Sequence, residues 1–233
     1  MSAIFKREFR SYFTSPLGYV YLAIFLFFEG MYFSALFGYG MPNVEVIFGS
    51  VSTVVVIVTP VLTMRLLSED RRQKVDQALL TAPVSVTGIV MGKMLAAFAV
   101  YALAFAPTFL FQLIVTFLAS VNWLVYLNAL LGALLIGAAL ISIGMFISSL
   151  TESPIISCIL TLISFLLLLV LPNLASLTGV SWIQAAAQKI AFISLFASFS
   201  ESVFHIVDVI YLLSVAAVFV FLSVRAVEKR RWA

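Results

Sequence analysis

Few residues in this chain have side chains suited to catalysis. There is one histidine, His205, and one cysteine, Cys158. That pair excludes an internal disulfide and any metal site built from several Cys and His ligands. His-Glu-x-x-His, a nucleophile elbow and a Ser–His pairing on adjoining apolar segments are all absent, leaving little from which to build a hydrolase. Gly-x-x-x-x-Gly-Lys-Ser/Thr is missing too, so any ATP used here has to be bound by another chain. Two features remain. One is the carboxylate of Glu29, set in the apolar string FLFFEGMYF; the other is the charged stretch RLLSEDRRQKVDQALLTAPVSVTGIVMGK, residues 65–93.

The elements around these features follow from composition. The chain is 64% hydrophobic and 10% charged, with 22 Phe in 233 residues, whereas soluble domains carry about 25% charged residues. One aqueous core cannot hide that much apolar surface, so the solvent is itself apolar. A spanning helix takes about 20 apolar residues at 1.5 Å each. Six segments qualify: 17–38, 45–64, 94–118, 125–149, 154–172 and 206–224. The runs are continuous and do not alternate with period two, which argues against a barrel. The expected fold is an all-α membrane protein forming a single transmembrane domain over residues 1–233. The apolar stretch after Lys6, Arg7 and Arg10 is too long for a signal peptide and no small-residue cleavage site follows, so it is expected to be a retained first span.

Placing the N-terminus in the cytoplasm puts twelve of the thirteen Lys and Arg residues inside; Lys189 alone falls outside. Short loops rich in Lys and Arg stay cytoplasmic. Both termini are therefore expected in the cytoplasm, with the chain in the inner (cytoplasmic) membrane. The sequence pI near 9.1 reflects this topology and contact with anionic lipid, with no need of nucleic acid. Residues 181–200 are long enough for a seventh pass, but that pass would export the basic tail. The segment 173–205 is thus expected outside, with amphipathic helices lying in or dipping into the outer leaflet.

Residues 1–15 place Ile4, Phe5, Phe9, Tyr12 and Phe13 near one face with the basic residues beside it, the pattern of an amphipathic helix on the inner leaflet. Pro60 and Pro107 should kink the second and third spans. In the fourth span Ala129, Ala133, Gly137, Gly144 and Ser148 recur on one stripe, which favours close packing within the chain over a subunit interface. Between the second and third spans, Val75, Ala78, Leu79 and Leu80 form a short apolar edge ended by Thr81-Ala82-Pro83, and Ser85 or Thr87 caps the next helix. A short helix under the membrane is expected there.

A carboxylate within a span costs about 2.5–3.5 kcal/mol on insertion scales, so Glu29 should face the bundle or a wet cavity, or be protonated. It is either a substrate-path residue or a structural hydrogen bonder. Gln112 and Asn128 are weaker candidates for the path, and Asp208 is expected at the outer interface. No acid–base ladder crosses the membrane and no inverted repeat is evident, which weighs against a proton-coupled secondary transporter.

Three stretches carry a resemblance to a known family: IFKREFRSYFTSPLGYVYL at the N-terminus, DQALLTAPVSVTGIVMGKMLA in the middle and DVIYLLSVAAVFVFLSVRAVEKRRW at the end. They resemble the permeases of type-2 ABC exporters, in particular the gliding-motility-associated branch. The middle string is similar to the family's coupling-helix region. A Gly-Thr-x-Glu sequence often found just before the Leu pair reads Lys74-Val75-Asp76-Gln77 here.

The resemblance implies a permease without ATPase motifs, forming a homo- or heterodimer with a second permease and bound to two cytoplasmic ABC ATPase subunits. ATP and Mg would sit in those partners, with no cofactor on this chain and no catalytic or metal site. By position, Glu69, Asp70, Arg71, Arg72, Val75, Asp76, Leu79 and Leu80 would form the coupling surface, with Glu152 from the loop between spans four and five beside it. A membrane-anchored extracytoplasmic accessory protein is a further implied partner. An ATP-independent channel or carrier, or a membrane anchor without transport, stand as the alternatives.

Overall fold

A computed structural model describes residues 1–40, 43–74, 85–177, 179, 184, 195–196, 199 and 206–231. The described elements are helices: α1 (Ser2–Thr14), α2 (Pro16–Gly38), α3 (Glu45–Thr63), α4 (Ser68–Arg72), α5 (Val86–Ala104), α6 (Ala106–Thr116), α7 (Trp123–Leu150), α8 (Pro154–Leu177) and α9 (Ile206–Arg231). Six helical stretches among the described residues are long and apolar enough to cross a membrane. They coincide with the six apolar segments of the sequence. Helices satisfy every backbone group internally, which is why a Val-rich stretch such as residues 51–58 is helical here despite its β-branching.

Local signals place several ends. Ser85 caps α5, its side chain accepting from the Gly88 N–H at 3.2 Å, and the helix starts eight residues before the apolar run at 94. Pro107 acts where the sequence suggests: the third span divides at Phe105 into α5 and α6, with the proline in the first turn of α6, where its missing N–H costs nothing. Pro60 lies inside α3 and the helix ends three residues later. Pro172 does not end α8, which continues to Leu177, five residues past the expected boundary.

The bundle is organised on α7, against which α3, α5, α8 and α9 all pack. The small-residue stripe makes this possible within one chain. A Cβ at Gly137 would lie 2.0 Å from the Tyr101 ring, and one at Gly144 would lie 2.4 Å from Thr63 Oγ1. Gly132, one turn from the stripe, leaves room in the same way for Phe199. Tyr101 donates to the Ala133 carbonyl at 2.8 Å. Phe25, Phe48, Phe105 and Tyr126 complete an aromatic core. By contrast α2, α8 and α9 leave most of their apolar surface exposed, as helices facing lipid or a second subunit must.

Within the segment expected outside, residues 173–177 belong to α8, and Leu195, Phe196 and Phe199 are buried in the core. This part of the connection is therefore docked into the bundle and does not merely rest on a leaflet. Apart from Gly179 and Gln184, the other positions of 178–205 lie outside the described residues, as do Val75, Asp76, Leu79 and Leu80.

Candidate functional site

At one end of the bundle, four stretches distant in sequence meet around the short helix α4. Its start is fixed by α7: the Ser148 hydroxyl accepts from the N–H groups of Leu67 and Ser68 at 3.1 and 3.0 Å, and donates to the Met64 carbonyl at 3.2 Å. The first turn of a helix has N–H groups without an intrahelical partner, and here a residue 80 positions away satisfies two of them. Arg65 grips Glu69 one turn on, through two nitrogens, and reaches Ser15 Oγ at 3.3 Å. Arg71 pairs with Glu152 in the α7–α8 connection at 2.5 Å.

The remaining tie runs through Lys93, near the start of α5 and only 1% exposed. Its Nζ lies 2.8 Å from Asp70 Oδ2 and 3.2 Å from Glu8 Oε1 on α1. Glu8 is also paired with Arg7 at 2.6 Å. A buried ammonium is tolerated only when compensated in this way, and removing its partners costs several kcal/mol.

Helix α1 is likewise bound to protein along its apolar face. Ile4 sits against Gly92, where a Cβ would come within 3.1 Å of it. Tyr12 is buried and donates to the Leu62 carbonyl at 2.9 Å; burial pushes its hydroxyl above the ordinary tyrosine range, so it remains a donor. Phe5 stacks on Phe9, Phe9 meets Phe13 at a tilt, and Phe13 meets Tyr19 of α2 edge to face. The helix expected on the leaflet thus leans one side on α5 and α3 and keeps Lys6, Arg7 and Arg10 exposed. Between α1 and α4 lies a cleft of about 450 Å³, bordered by Arg7, Glu8, Ser11, Arg65, Glu69 and Gln73.

Of the proposed coupling residues, Glu69, Asp70, Arg71 and Arg72 lie on α4, and Glu152 is beside them through Arg71. Residues 75–84 fall outside the described part. Sequence reasoning missed Lys93, Glu8, Ser148, Arg65 and Tyr12. Lys93 stood in the sequence as one cytoplasmic cation among twelve; its position next to Gly92, where a helix can approach, was the available signal.

Loss of the Ser148 hydroxyl leaves two buried N–H groups without a partner, each worth about 1–3 kcal/mol. Ser148→Ala is expected to lower the thermal midpoint of the purified protein clearly in a detergent melt. Ser149→Ala, whose hydroxyl returns to the Phe146 carbonyl of its own helix, should change it little.

The intramembrane polar residues divide. Glu29 on α2 is wholly buried and neither carboxyl oxygen meets a hydrogen-bond partner among the described residues; the same holds for both polar atoms of Gln112 on α6. Glu29 lies one turn from Phe25 and from Phe33, which pack on Phe105 and, at 4.3 Å, on Phe111, and so faces the seam between α2 and the third span; Gln112 follows Phe111 in sequence. Asn128 is engaged elsewhere, its amide donating to the Phe199 carbonyl at 3.0 Å. Asp208 falls in the first turn of α9.

No curated protein matches the chain. Residues 12–168, from the end of α1 to the middle of α8, match a family described as ABC-2 family transporter protein, and this region includes the middle string and all of the α4 junction except Arg7 and Glu8 of α1. The locked α4 junction, the six apolar helices and this match together make the chain a multi-pass membrane member of the ABC-2 transporter family.

Proposed function

We propose that this chain is the membrane subunit of an ATP-driven exporter, with its α4 end in the cytoplasm and residues 69–80, together with Glu152, forming the surface on which an ABC ATPase docks. ATP and Mg sit in that partner, and two permease subunits, identical or related, pack side by side within the membrane through the exposed helices. The observation that supports this reading best is the way α4 is held. Ties to α7, α5, α1 and the α7–α8 connection give the chain leading into residues 75–84 a rigid base, which a solvated loop does not need. A docked element can shift a two-state equilibrium only through differential interaction with the two states, and a rigid base lets that difference reach the spans.

Glu29 and Gln112 are the polar groups of the translocation path. A polar side chain in an apolar seam without a partner is costly, and water or the polar part of a cargo would relieve it. The surrounding seam is aromatic and aliphatic, which suits an amphiphile. A membrane-anchored extracytoplasmic accessory protein is a third partner in this reading.

Purification of the tagged chain from its own membranes tests the reading. An ATPase with a phosphate-binding loop is expected to co-purify, and the reconstituted complex to hydrolyse ATP. In a Cys158→Ser background, Asp76→Cys should react with membrane-impermeant maleimide only after the cells are opened. A chain that purifies alone and moves solute without ATP would favour the carrier reading, to which a buried Glu29 lends itself. Labelling of Asp76→Cys from outside would invert the topology.

A further inference from the structure

We propose that Lys93 is the positioning residue that joins the two stems of the coupling segment into one lever and links that lever to α1. This rests on the reading of residues 69–80 given above and goes beyond it by naming how motion leaves the segment.

The chain from Gln73 to Ser85 is strung between α4 before it and α5 after it. A segment held at one stem only would swing when pushed, and the push would be lost. Lys93 removes that freedom. It lies two turns into α5, and its Nζ reaches back to Asp70 on α4 at 2.8 Å. The same ammonium meets Glu8 of α1 at 3.2 Å. All three side chains are shielded: that of Lys93 is 1% exposed, that of Glu8 15% and that of Asp70 18%. Charges held away from water attract one another more strongly than exposed ones, and exposed pairs contribute little.

The charges are also apportioned. Arg7 already compensates Glu8 at 2.6 Å, so the Lys93 ammonium remains available to Asp70. Gly92 completes the arrangement by letting Ile4 and the Met1 carbonyl come within 3.1–3.3 Å of where its Cβ would be. Helix α1 is thereby laid flat on the first turns of α5. The other ties of α4 run to different bodies: Ser148 and Glu152 hold it to α7 and the connection after it, and Arg65 to the end of α3. The tie from α4 to α5 runs through Lys93, which also meets the middle of α1 at Glu8; a second link to α1 runs from Glu69 through Arg65 to Ser15 at its end. Motion of the docked segment is therefore passed to the third span, α5 and α6, as well as to the second.

The test uses the full complex of permease and ATPase in nanodiscs, in a Cys158→Ser background. Spin labels are placed at the outer ends of α3 and α6, at Val46→Cys and Phe117→Cys, both exposed. Their separation is measured without nucleotide and after trapping with ATP and vanadate. The Lys93 proposal expects trapping to shift this distance, Lys93→Met to abolish the shift while the ATPase still co-purifies, and Lys93→Arg to restore part of it. A lysine with a merely structural role would lower the thermal midpoint in the Met variant and leave the shift intact; that result overturns the proposal. Asp70→Asn, which keeps Lys93 paired with Glu8, is compared in parallel and decides the matter if the Met variant fails to insert: loss of its shift supports the lever, and a full shift overturns it. If the complex shows no shift without any change at Lys93 or Asp70, the coupling reading fails, and the Lys93 proposal fails with it. Failure of the ATPase to co-purify with the chain unchanged at Lys93 and Asp70 overturns the coupling reading and the lever with it, whereas its loss in the Lys93→Met variant alone overturns the Lys93 proposal, which expects docking to survive.

Discussion

Replacing both Leu79 and Leu80 with Asp is expected to strip the ATPase from the purified complex while the permease still inserts. The two leucines follow the charged part of the connection and precede Thr81-Ala82-Pro83. In an aqueous segment, an adjacent apolar pair followed by a proline stop has value only if something covers it. Burying one leucine contributes about 2 kcal/mol, and placing a carboxylate in the same contact adds a desolvation cost of several kcal/mol. With tenfold in affinity for each 1.4 kcal/mol, the double variant should weaken docking by roughly a thousandfold or more. Co-purification on a permease tag, followed by gel filtration, reads this directly. Leu79→Met with Leu80→Met keeps the apolar volume and should retain the partner. An Asp variant that still brings down the ATPase in normal amount would remove the main support for this segment as the docking surface.

The second large effect is expected inside the bundle. Gly137→Leu should prevent accumulation of folded protein. A Cβ there would lie 2.0 Å from Cε1 and 2.3 Å from Cζ of Tyr101. The ring cannot step aside: it is wholly buried and packed against Phe25, Phe98 and Phe105. Its hydroxyl also holds the Ala133 carbonyl. Overpacking in a dense core costs about 1–3 kcal/mol or more, and a broken buried hydrogen bond adds about 1–3 kcal/mol. Together these approach the whole stability of many domains, about 5–15 kcal/mol. The measurement is the monodisperse fraction after detergent extraction, with the thermal midpoint of whatever remains. Gly30→Leu serves as the control, since a Cβ at Gly30 meets nothing within 4 Å; that protein should extract and melt normally. Normal extraction of Gly137→Leu would show that α5 and α7 do not approach as described.

Both effects were visible in the sequence to different degrees. The stripe of small residues in the fourth span pointed to close packing within the chain, because spacing along a helix fixes which residues share a face. It did not say that Gly137 receives Tyr101 or that Gly144 receives Thr63. The same stripe contained Ser148 as one more small residue, whereas in the fold its hydroxyl closes the start of α4. Helix α1 likewise showed an amphipathic pattern, and that pattern is the same whether lipid or another helix covers it.

The sequence by itself determined the solvent of this protein, the number of its spans, a cap at Ser85 or Thr87 and a disturbance of the third span at Pro107, because each depends on residues within one helix turn or on composition summed over about 20 positions. Only the tertiary structure decided which charges meet. Lys93 with Glu8 and Asp70, Arg71 with Glu152, and Ser148 with Leu67 and Ser68 join residues about 20 to 85 positions apart. Their pairing follows from how six helices pack side by side, and helical periodicity identifies a face without identifying the neighbour that fills it.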